Sequence, residues 1–128
     1  MAFHLEKEKT TSTPYVLVDE EKGYIKLEGR SFHENVAEFF EELANWLDGY
    51  LVTDFTTLTF DCALNYFNSS TAKLLFNLLH KMDSQVSEGK TVIVNWITSE
   101  TNDIVIECGE DFQEEFDNLE FNMVIQEM

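Results

Sequence analysis

The sequence contains very little proline, glycine or cysteine. Its 128 residues include one proline, Pro14, five glycines and two cysteines. Because no Pro/Gly/Ser-rich stretch suggests a linker, the chain is expected to form one domain over residues 1–128. Cys62 and Cys108 match no CxxC spacing, so they do not suggest a zinc site. Cys62 alternates with apolar residues of a predicted strand and is interpreted as a small core side chain.

Long apolar runs and basic residues are also scarce. No window is apolar enough to span a bilayer, and the N-terminus lacks the features of a signal peptide, so a cytoplasmic protein is expected. Eight Lys and Arg against 25 Asp and Glu give a formal net charge of −17. This charge disfavours binding to nucleic acid and to anionic membranes, which both attract basic surfaces. A partner with a basic surface and simple solubility both stay open as explanations.

Catalytic motifs are missing as well. The sequence has no Gly-rich phosphate loop, no nucleophile elbow and no His/Cys pairing, and its three histidines are not at metal-ligand spacing. An acidic cluster at 107–115 lacks the D-x-D-x-D-G loop of calcium sites. We interpret it as the solvated face of a helix whose buried side contains Phe112 and Phe116. The sequence therefore predicts a protein that is not an enzyme and that has no metal or cofactor.

The hydrophobic pattern predicts an α/β (α+β) fold with the order β-β-α-β-α-β-α-β. Residues 1–12 are polar and are expected to be flexible. A hairpin with Gly23 at its turn follows, and then the capping-box pattern Ser31-x-x-Glu34 begins a helix that ends near Gly49. The later predicted elements are a strand at 57–67, a helix ended by Gly89, a strand at 90–97, an acidic helix at 102–117 and a strand at 121–126.

The strand at 57–67 indicates how the sheet is covered. Every second residue from Leu58 to Tyr66 is apolar or Cys, whereas Thr57, Thr59 and Asp61 begin a more polar second face. Such alternation is typical of a sheet that is covered on one side only. We therefore expect the first two helices to pack on the same sheet face. Their shared core is predicted to contain Phe39, Phe40, Trp46, Phe76 and Leu79.

The segment Asn68-Ser69-Ser70-Thr71-Ala72-Lys73 joins this strand to the next helix without a loop. These residue types are favoured at a helix N-cap, and one hydroxyl is expected to satisfy an amide of the first turn. Three consecutive hydroxyls exceed what one cap needs. A phosphoryl group at this position would meet free N–H groups and the positive end of the helix dipole, with Lys73 one turn further on. A cap and a phosphorylation site are therefore both compatible with the segment.

Several motifs of the chain resemble the SiaC family of bacterial regulatory phosphoproteins. The resemblance extends from about Thr13 to the C-terminus. The motifs that carry it are Thr13-Pro14, Gly23, Glu28-Gly29-Arg30-Ser31-Phe32-His33-Glu34-Asn35, Phe39-Phe40, Trp46-Leu47 and Tyr66-Phe67-Asn68-Ser69-Ser70-Thr71-Ala72-Lys73.

The resemblance implies a STAS-like fold, similar to that of anti-sigma-factor antagonists, with a mixed sheet and helices on one side. It also implies partner switching: a Ser/Thr kinase phosphorylates a hydroxyl at the start of the second helix, and a metal-dependent phosphatase reverses the modification. The unphosphorylated form would bind and activate an effector, such as a diguanylate cyclase. The family's phosphoacceptor falls on Ser69, where Thr is common, and Ser70 is an alternative acceptor. His33 stands where the family commonly has Pro.

A helical wheel places further side chains beside the junction. We predict that they contact the kinase and the effector, although burial of both leucines in the core is an alternative, which is favoured slightly for Leu78. A constitutive adaptor or structural subunit of the same fold, without switching, is the competing function. The predicted partner-binding residues are Asn68, Ser69, Ser70, Thr71, Lys73, Leu74, Asn77, Leu78 and Lys81.

Overall fold

In a computed structural model, which describes residues 2–127, six strands form one mixed sheet. The strands follow each other across the sheet in chain order, from β1 to β6. The pairs β1–β2 and β2–β3 are antiparallel, and the pairs from β3 to β6 are parallel. The strands are β1 (His4–Lys7), β2 (Tyr15–Asp19), β3 (Tyr24–Ser31), β4 (Thr57–Phe67), β5 (Thr91–Ser99) and β6 (Glu120–Gln126). The helices are α1 (Val36–Phe39), α2 (Glu41–Leu51), α3 (Ser69–Gln85) and α4 (Asp103–Glu115).

The helices cover one face of the sheet, as the alternation predicted. The apolar strand residues that face them, such as Leu58 and Phe60, are fully buried together with residues of α2 and α3, such as Leu47 and Leu79. The crossovers between parallel strands run through these helices. The expected fold class, a mixed sheet with helices on one side, is therefore confirmed.

The opposite face of the sheet carries a chain of polar side chains. Tyr24 Oη donates to one carboxylate oxygen of Asp61 (2.6 Å), and Asn95 Nδ2 donates to the other (2.8 Å). Asn122 Nδ2 then donates to Oδ1 of Asn95 (3.1 Å), so the chain of hydrogen bonds crosses β3 to β6. Burial and the bond to Asp61 raise the pKa of Tyr24, which keeps its hydroxyl protonated as the donor.

The N-terminal segment corrects one prediction, since residues 4–7 form an edge strand. His4 pairs with Asp19 and Lys7 with Val16, so this segment is not flexible over its whole length. The segment was too polar to be recognised as a strand, but every second side chain, Leu5 and Lys7, is partly buried. Leu5 packs on the core, and Lys7 Nζ donates to the carbonyl oxygen of Phe39 at the end of α1 (3.1 Å). Met1 lies outside the described residues.

The predicted capping box is also wrong. Ser31 is the last residue of β3 and is 1% exposed, so it cannot begin a helix. The N-cap is Asn35, whose Oδ1 accepts the N–H of Glu38 (3.4 Å). At Phe40 the single predicted helix divides into α1 and α2, and with β1 the order becomes β-β-β-α-α-β-α-β-α-β.

Two aromatic side chains point elsewhere than predicted. Tyr66 is 47% exposed, because a β-bulge in β4 reverses the alternation before it. Phe76 is 39% exposed and lies between α3 and α4, with its ring 5.1 Å from that of Phe116. The rest of the predicted core holds: Phe40, Trp46 and Leu79 are buried, and Phe39 packs against them from a partly buried position.

Candidate functional site

The candidate site is the junction at which β4 ends and α3 begins. Asn68 is the N-cap of α3, and its Oδ1 accepts the N–H of Thr71 (2.9 Å). The sequence suggested that one of the three hydroxyls caps the helix. The cap is instead the carboxamide of Asn68. Since the N-cap lies at residue 68, Ser69 and Ser70 occupy the first two positions of the helix.

Thr71 anchors this junction to the end of β3. It is 0% exposed, and its Oγ1 donates to the carbonyl oxygen of Ser31 (3.1 Å). Its single proton is thereby used, so the 2.9 Å contact between the two hydroxyls has Ser31 Oγ as the donor. The same Ser31 carbonyl accepts the N–H of Asn68 (3.1 Å). Three hydrogen bonds therefore hold the start of α3 against the neighbouring strand.

The other two hydroxyls of the junction face solvent. Ser69 and Ser70 are exposed, and their backbone N–H groups donate no hydrogen bond to any residue in the range 2–127. These amides lie at the positive end of the helix dipole, where anions are stabilised. Lys73 is exposed one turn further along the same side of α3. The chemistry that suits a phosphoryl group is therefore concentrated around these two serines.

A groove runs from the junction between α1 and α2 on one side and α3 on the other. Its first part is a cavity of about 370 Å³ that Glu34, Ser70, Lys73 and Asn77 help to line. A second cavity of about 230 Å³ continues along α3 to Lys81. Leu74 and Asn77 line both parts, which makes the groove continuous.

The structure brings most of the predicted partner-binding residues to this groove. Leu74 is half-buried at its floor and Asn77 is exposed. Lys81 is paired with Asp48 across the groove (3.0 Å). Thr71 and Leu78 are buried, because Thr71 bonds to Ser31 and Leu78 belongs to the core. Leu78 still lines the second cavity of the groove with its small exposed fraction, whereas Thr71 supports the groove only from beneath.

The remaining candidate residues are placed as follows. Cys62 is buried and Cys108 is half-buried, both are free thiols, and burial raises their pKa values to about 12 and about 11. His33 accepts the N–H of Asn35 at Nδ1 (3.0 Å) beside the groove. Within residues 2–127 no three His, Cys, Asp or Glu side chains are grouped to hold a metal ion, and no helix is long and apolar enough to cross a membrane.

Sequence reasoning missed the structural role of Ser31 and the exposed cluster around Arg30. Arg30 stacks on the rings of Phe32 and Tyr66, close to the junction. The motif around Arg30 was visible in the sequence, but the alternation of β4 predicted that the Tyr66 side chain points into the core. Only a β-bulge, which has no clear signal in this sequence, brings the three side chains together.

Comparison with known proteins places this site in a family. The model of the SiaC family regulatory phosphoprotein matches residues 7–126. An uncharacterized protein of Pseudomonas aeruginosa (strain UCBPP-PA14) is 29% identical over 106 residues, which cover 83% of this chain and 84% of that protein.

Solved structures agree with this match. The structure of apo-SiaC from Pseudomonas aeruginosa superimposes with a TM-score of 0.82 at 27% identity, covering 97% of this chain and 98% of that chain. A chain in the complex of the diguanylate cyclase SiaD with its activator SiaC, from the same species, has a TM-score of 0.83 at 28% identity, covering 97% and 99%. The chain therefore belongs to the SiaC family of regulatory phosphoproteins.

Proposed function

We propose that this protein is a non-catalytic switch that binds and activates a diguanylate cyclase in the cytoplasm when unphosphorylated. A Ser/Thr kinase would phosphorylate Ser69 and thereby release the cyclase, and a metal-dependent phosphatase would restore binding. The observation that carries this proposal is the exposed Ser69 at the first position of α3, next to two free backbone amides and at the end of the groove. The effector is suggested by the SiaD–SiaC complex, in which the relative is an activator of a diguanylate cyclase.

The surroundings of the two serines favour Ser69 over Ser70 as the acceptor. Ser70 lines the 370 Å³ cavity together with the carboxylate-bearing Glu34, whereas Ser69 lies outside that lining. A phosphoryl group adds about −1.5 to −2 charges at pH 7. On Ser70 this charge would face the carboxylate of Glu34, but on Ser69 it would extend into solvent beside free N–H groups.

Phosphorylation at Ser69 should alter binding far more than folding. The helix N-terminus and Lys73 stabilise an anion there by about 0.3–1 kcal/mol, and the anchor of Thr71 to Ser31 is untouched. An effector surface fitted to a neutral hydroxyl would instead have to bury a dianion. Charges that are buried and unpaired at an interface cost about 2–5 kcal/mol, which weakens binding about 30-fold to several thousand-fold.

The test combines mass spectrometry with a pull-down on the diguanylate cyclase of the same bacterium. After incubation with kinase and ATP, phosphate is expected on Ser69. The phosphorylated protein should keep its melting temperature but should no longer bind the cyclase. Ser69→Ala should bind constitutively, and Ser70→Ala, the matched control, should still be switched. Phosphate found only on Ser70 would refute the site. Equal binding of the cyclase by both forms of the protein would refute the switch and favour a constitutive adaptor.

A further inference from the structure

A β-bulge at the end of β4 points the side chain of Tyr66 away from the core. Gly29 of β3 pairs with Leu64, but the next residue, Arg30, pairs with Tyr66, so Asn65 is an extra residue without a partner in β3. Bulges of this kind reverse the side-chain alternation and redirect side chains near functional sites. Here the bulge leaves Tyr66 47% exposed beside the strand-to-helix junction.

The bulge is held in place by α4. Asn102 Nδ2 donates to the carbonyl oxygen of Asn65 (2.8 Å), and Asn102 is the N-cap of α4, with its Oδ1 accepting the N–H of Val105 (3.4 Å). Both polar ends of one carboxamide are therefore used, one for the helix and one for the bulge. The position of Tyr66 is thus a defined feature of the fold.

The redirected Tyr66 completes a cluster with Arg30 and Phe32. The guanidinium carbon of Arg30 lies 5.1 Å from the centre of the Phe32 ring and 5.3 Å from that of Tyr66, and the two rings meet edge to face at 5.7 Å. Arg30 is the only arginine of the sequence. Within residues 2–127 its guanidinium forms no ion pair and donates no hydrogen bond. It is therefore held by stacking while its donors stay available.

An apolar recess adjoins this cluster. Tyr66 and Ile104 both line a cavity of about 80 Å³ between the end of β4 and the start of α4, and the Ile104 side chain is 79% exposed. Exposed large apolar side chains next to an aromatic-supported arginine resemble the anchor points of protein interfaces, where Tyr and Arg are enriched. We call Arg30, Phe32, Tyr66 and Ile104 the arginine–aromatic patch.

We propose that the arginine–aromatic patch binds a segment of the effector that presents a carboxylate next to an apolar or aromatic side chain. The carboxylate would pair with the unpaired guanidinium, whose planar fork suits two parallel hydrogen bonds, and the apolar side chain would enter the recess beside Ile104. The assignment rests on the proposed function in taking this partner to be the diguanylate cyclase. It adds a second contact surface, whose four residues do not line the groove.

Charge determines which occupant fits. The chain has a net charge of −17, so its surface as a whole favours basic regions of a partner, and a single carboxylate opposite Arg30 would fix the register of the complex. The same charge opposes anionic lipid and nucleic acid. A second copy of this chain would bring a further −17 and is disfavoured, but it is tested below.

The first experiment measures binding to the purified diguanylate cyclase of the same bacterium by isothermal titration calorimetry. Arg30→Gln and Tyr66→Ser should each weaken binding by about tenfold or more, as expected for interface anchors. Arg30→Lys keeps the charge but loses the planar stacked fork, so it should also bind more weakly than the wild type. The charge-matched control is Lys22→Gln in the exposed β2–β3 turn, which should bind like the wild type. If the Arg30 and Tyr66 variants all bind within twofold of the wild type, the patch is not an interface, although the proposed function stands.

The second experiment does not depend on the cyclase. Titration with 3-phenylpropionate, followed by NMR, should shift the Arg30 Nε–H and Tyr66 ring signals, whereas the neutral 3-phenylpropanamide should shift them much less. Equal shifts with both probes, or none with either, would overturn the proposed chemistry. If the wild-type protein does not bind the cyclase in the first experiment, the proposed function fails. The titration with 3-phenylpropionate still decides the chemistry of the patch. Self-association in sedimentation that Arg30→Gln abolishes would assign the patch to a second copy and refute the effector assignment.

Discussion

The hydrogen bonds between Thr71 and Ser31 can be tested with the substitution Thr71→Val, which keeps the side-chain shape and removes the hydroxyl. The buried Ser31 Oγ then loses its acceptor, although the Ser31 carbonyl keeps the N–H of Asn68. Leaving one buried polar group unsatisfied costs about 1–3 kcal/mol of unfolding free energy. Ser31→Ala should cost less, about 0.5–1.5 kcal/mol, because Thr71 Oγ1 still donates to the Ser31 carbonyl oxygen.

The structure offers a matched substitution with the opposite expected sign. Thr98 is also buried, but its Oγ1 has no hydrogen-bond partner within the described chain. Thr98→Val removes this unsatisfied hydroxyl and should raise the unfolding free energy by about 1 kcal/mol, since an unpaired buried hydroxyl is itself costly. Urea unfolding followed by circular dichroism measures the unfolding free energy of the wild type and of each variant.

A double variant completes the test. In the Thr71→Val background, Ser31→Ala removes the orphaned hydroxyl, so the second change should cost nothing or restore part of the loss. The reasoning is refuted if the effects of Thr71→Val and Ser31→Ala simply add, or if Thr71→Val and Thr98→Val change stability in the same direction.

Substitutions at three further positions test separate parts of the structure. Asn68→Ala removes the N-cap of α3 and should lower the unfolding free energy by about 0.5–2 kcal/mol in urea, whereas Asn68→Asp should restore most of it. Gly109→Ala should cost about 1–3 kcal/mol and lower the melting temperature, because a methyl group there would collide with the indole of Trp96; an unchanged melting temperature would contradict this packing. Burial raises the pKa of Cys62 to about 12, so the native state keeps a proton that the unfolded chain releases above pH 9. Between pH 9 and 12 the wild type should therefore lose about 1.4 kcal/mol more stability per pH unit than Cys62→Ala, measured by urea unfolding at successive pH values.

The sequence predicted the architecture because its main strand carries a strong local signal. From Thr57 to Leu64 the apolar and polar residues alternate, and the structure buries one set beneath the helices and leaves the other on the open face. Asp61 was therefore placed on the open face. The alternation failed at Tyr66, since the bulge depends on a hydrogen bond from Asn102, which is 37 residues away in the sequence.

The errors near the N-terminus have the same physical origin. The pattern from Ser31 to Glu34 satisfies the local rule for a capping box, but the partner of Ser31 is Thr71, 40 residues later. The strand at 4–7 has too little apolar content to be recognised locally. Pairing with β2 and the contact of Lys7 with Phe39 stabilise it, and neither can be read from the segment itself.

The three hydroxyls of the junction are equivalent in the sequence but divide into two roles in the structure. Thr71 is buried and anchors the start of the helix to β3, while Ser69 and Ser70 are exposed to solvent. A modification of Ser69 would therefore act on a helix start that is fixed independently of the modified side chain. The added charge would then change the surface that a partner meets and leave the anchor between Thr71 and Ser31 in place. With the anchor and the proposed acceptor on separate side chains, one residue would be able to control binding without a conformational change in the domain.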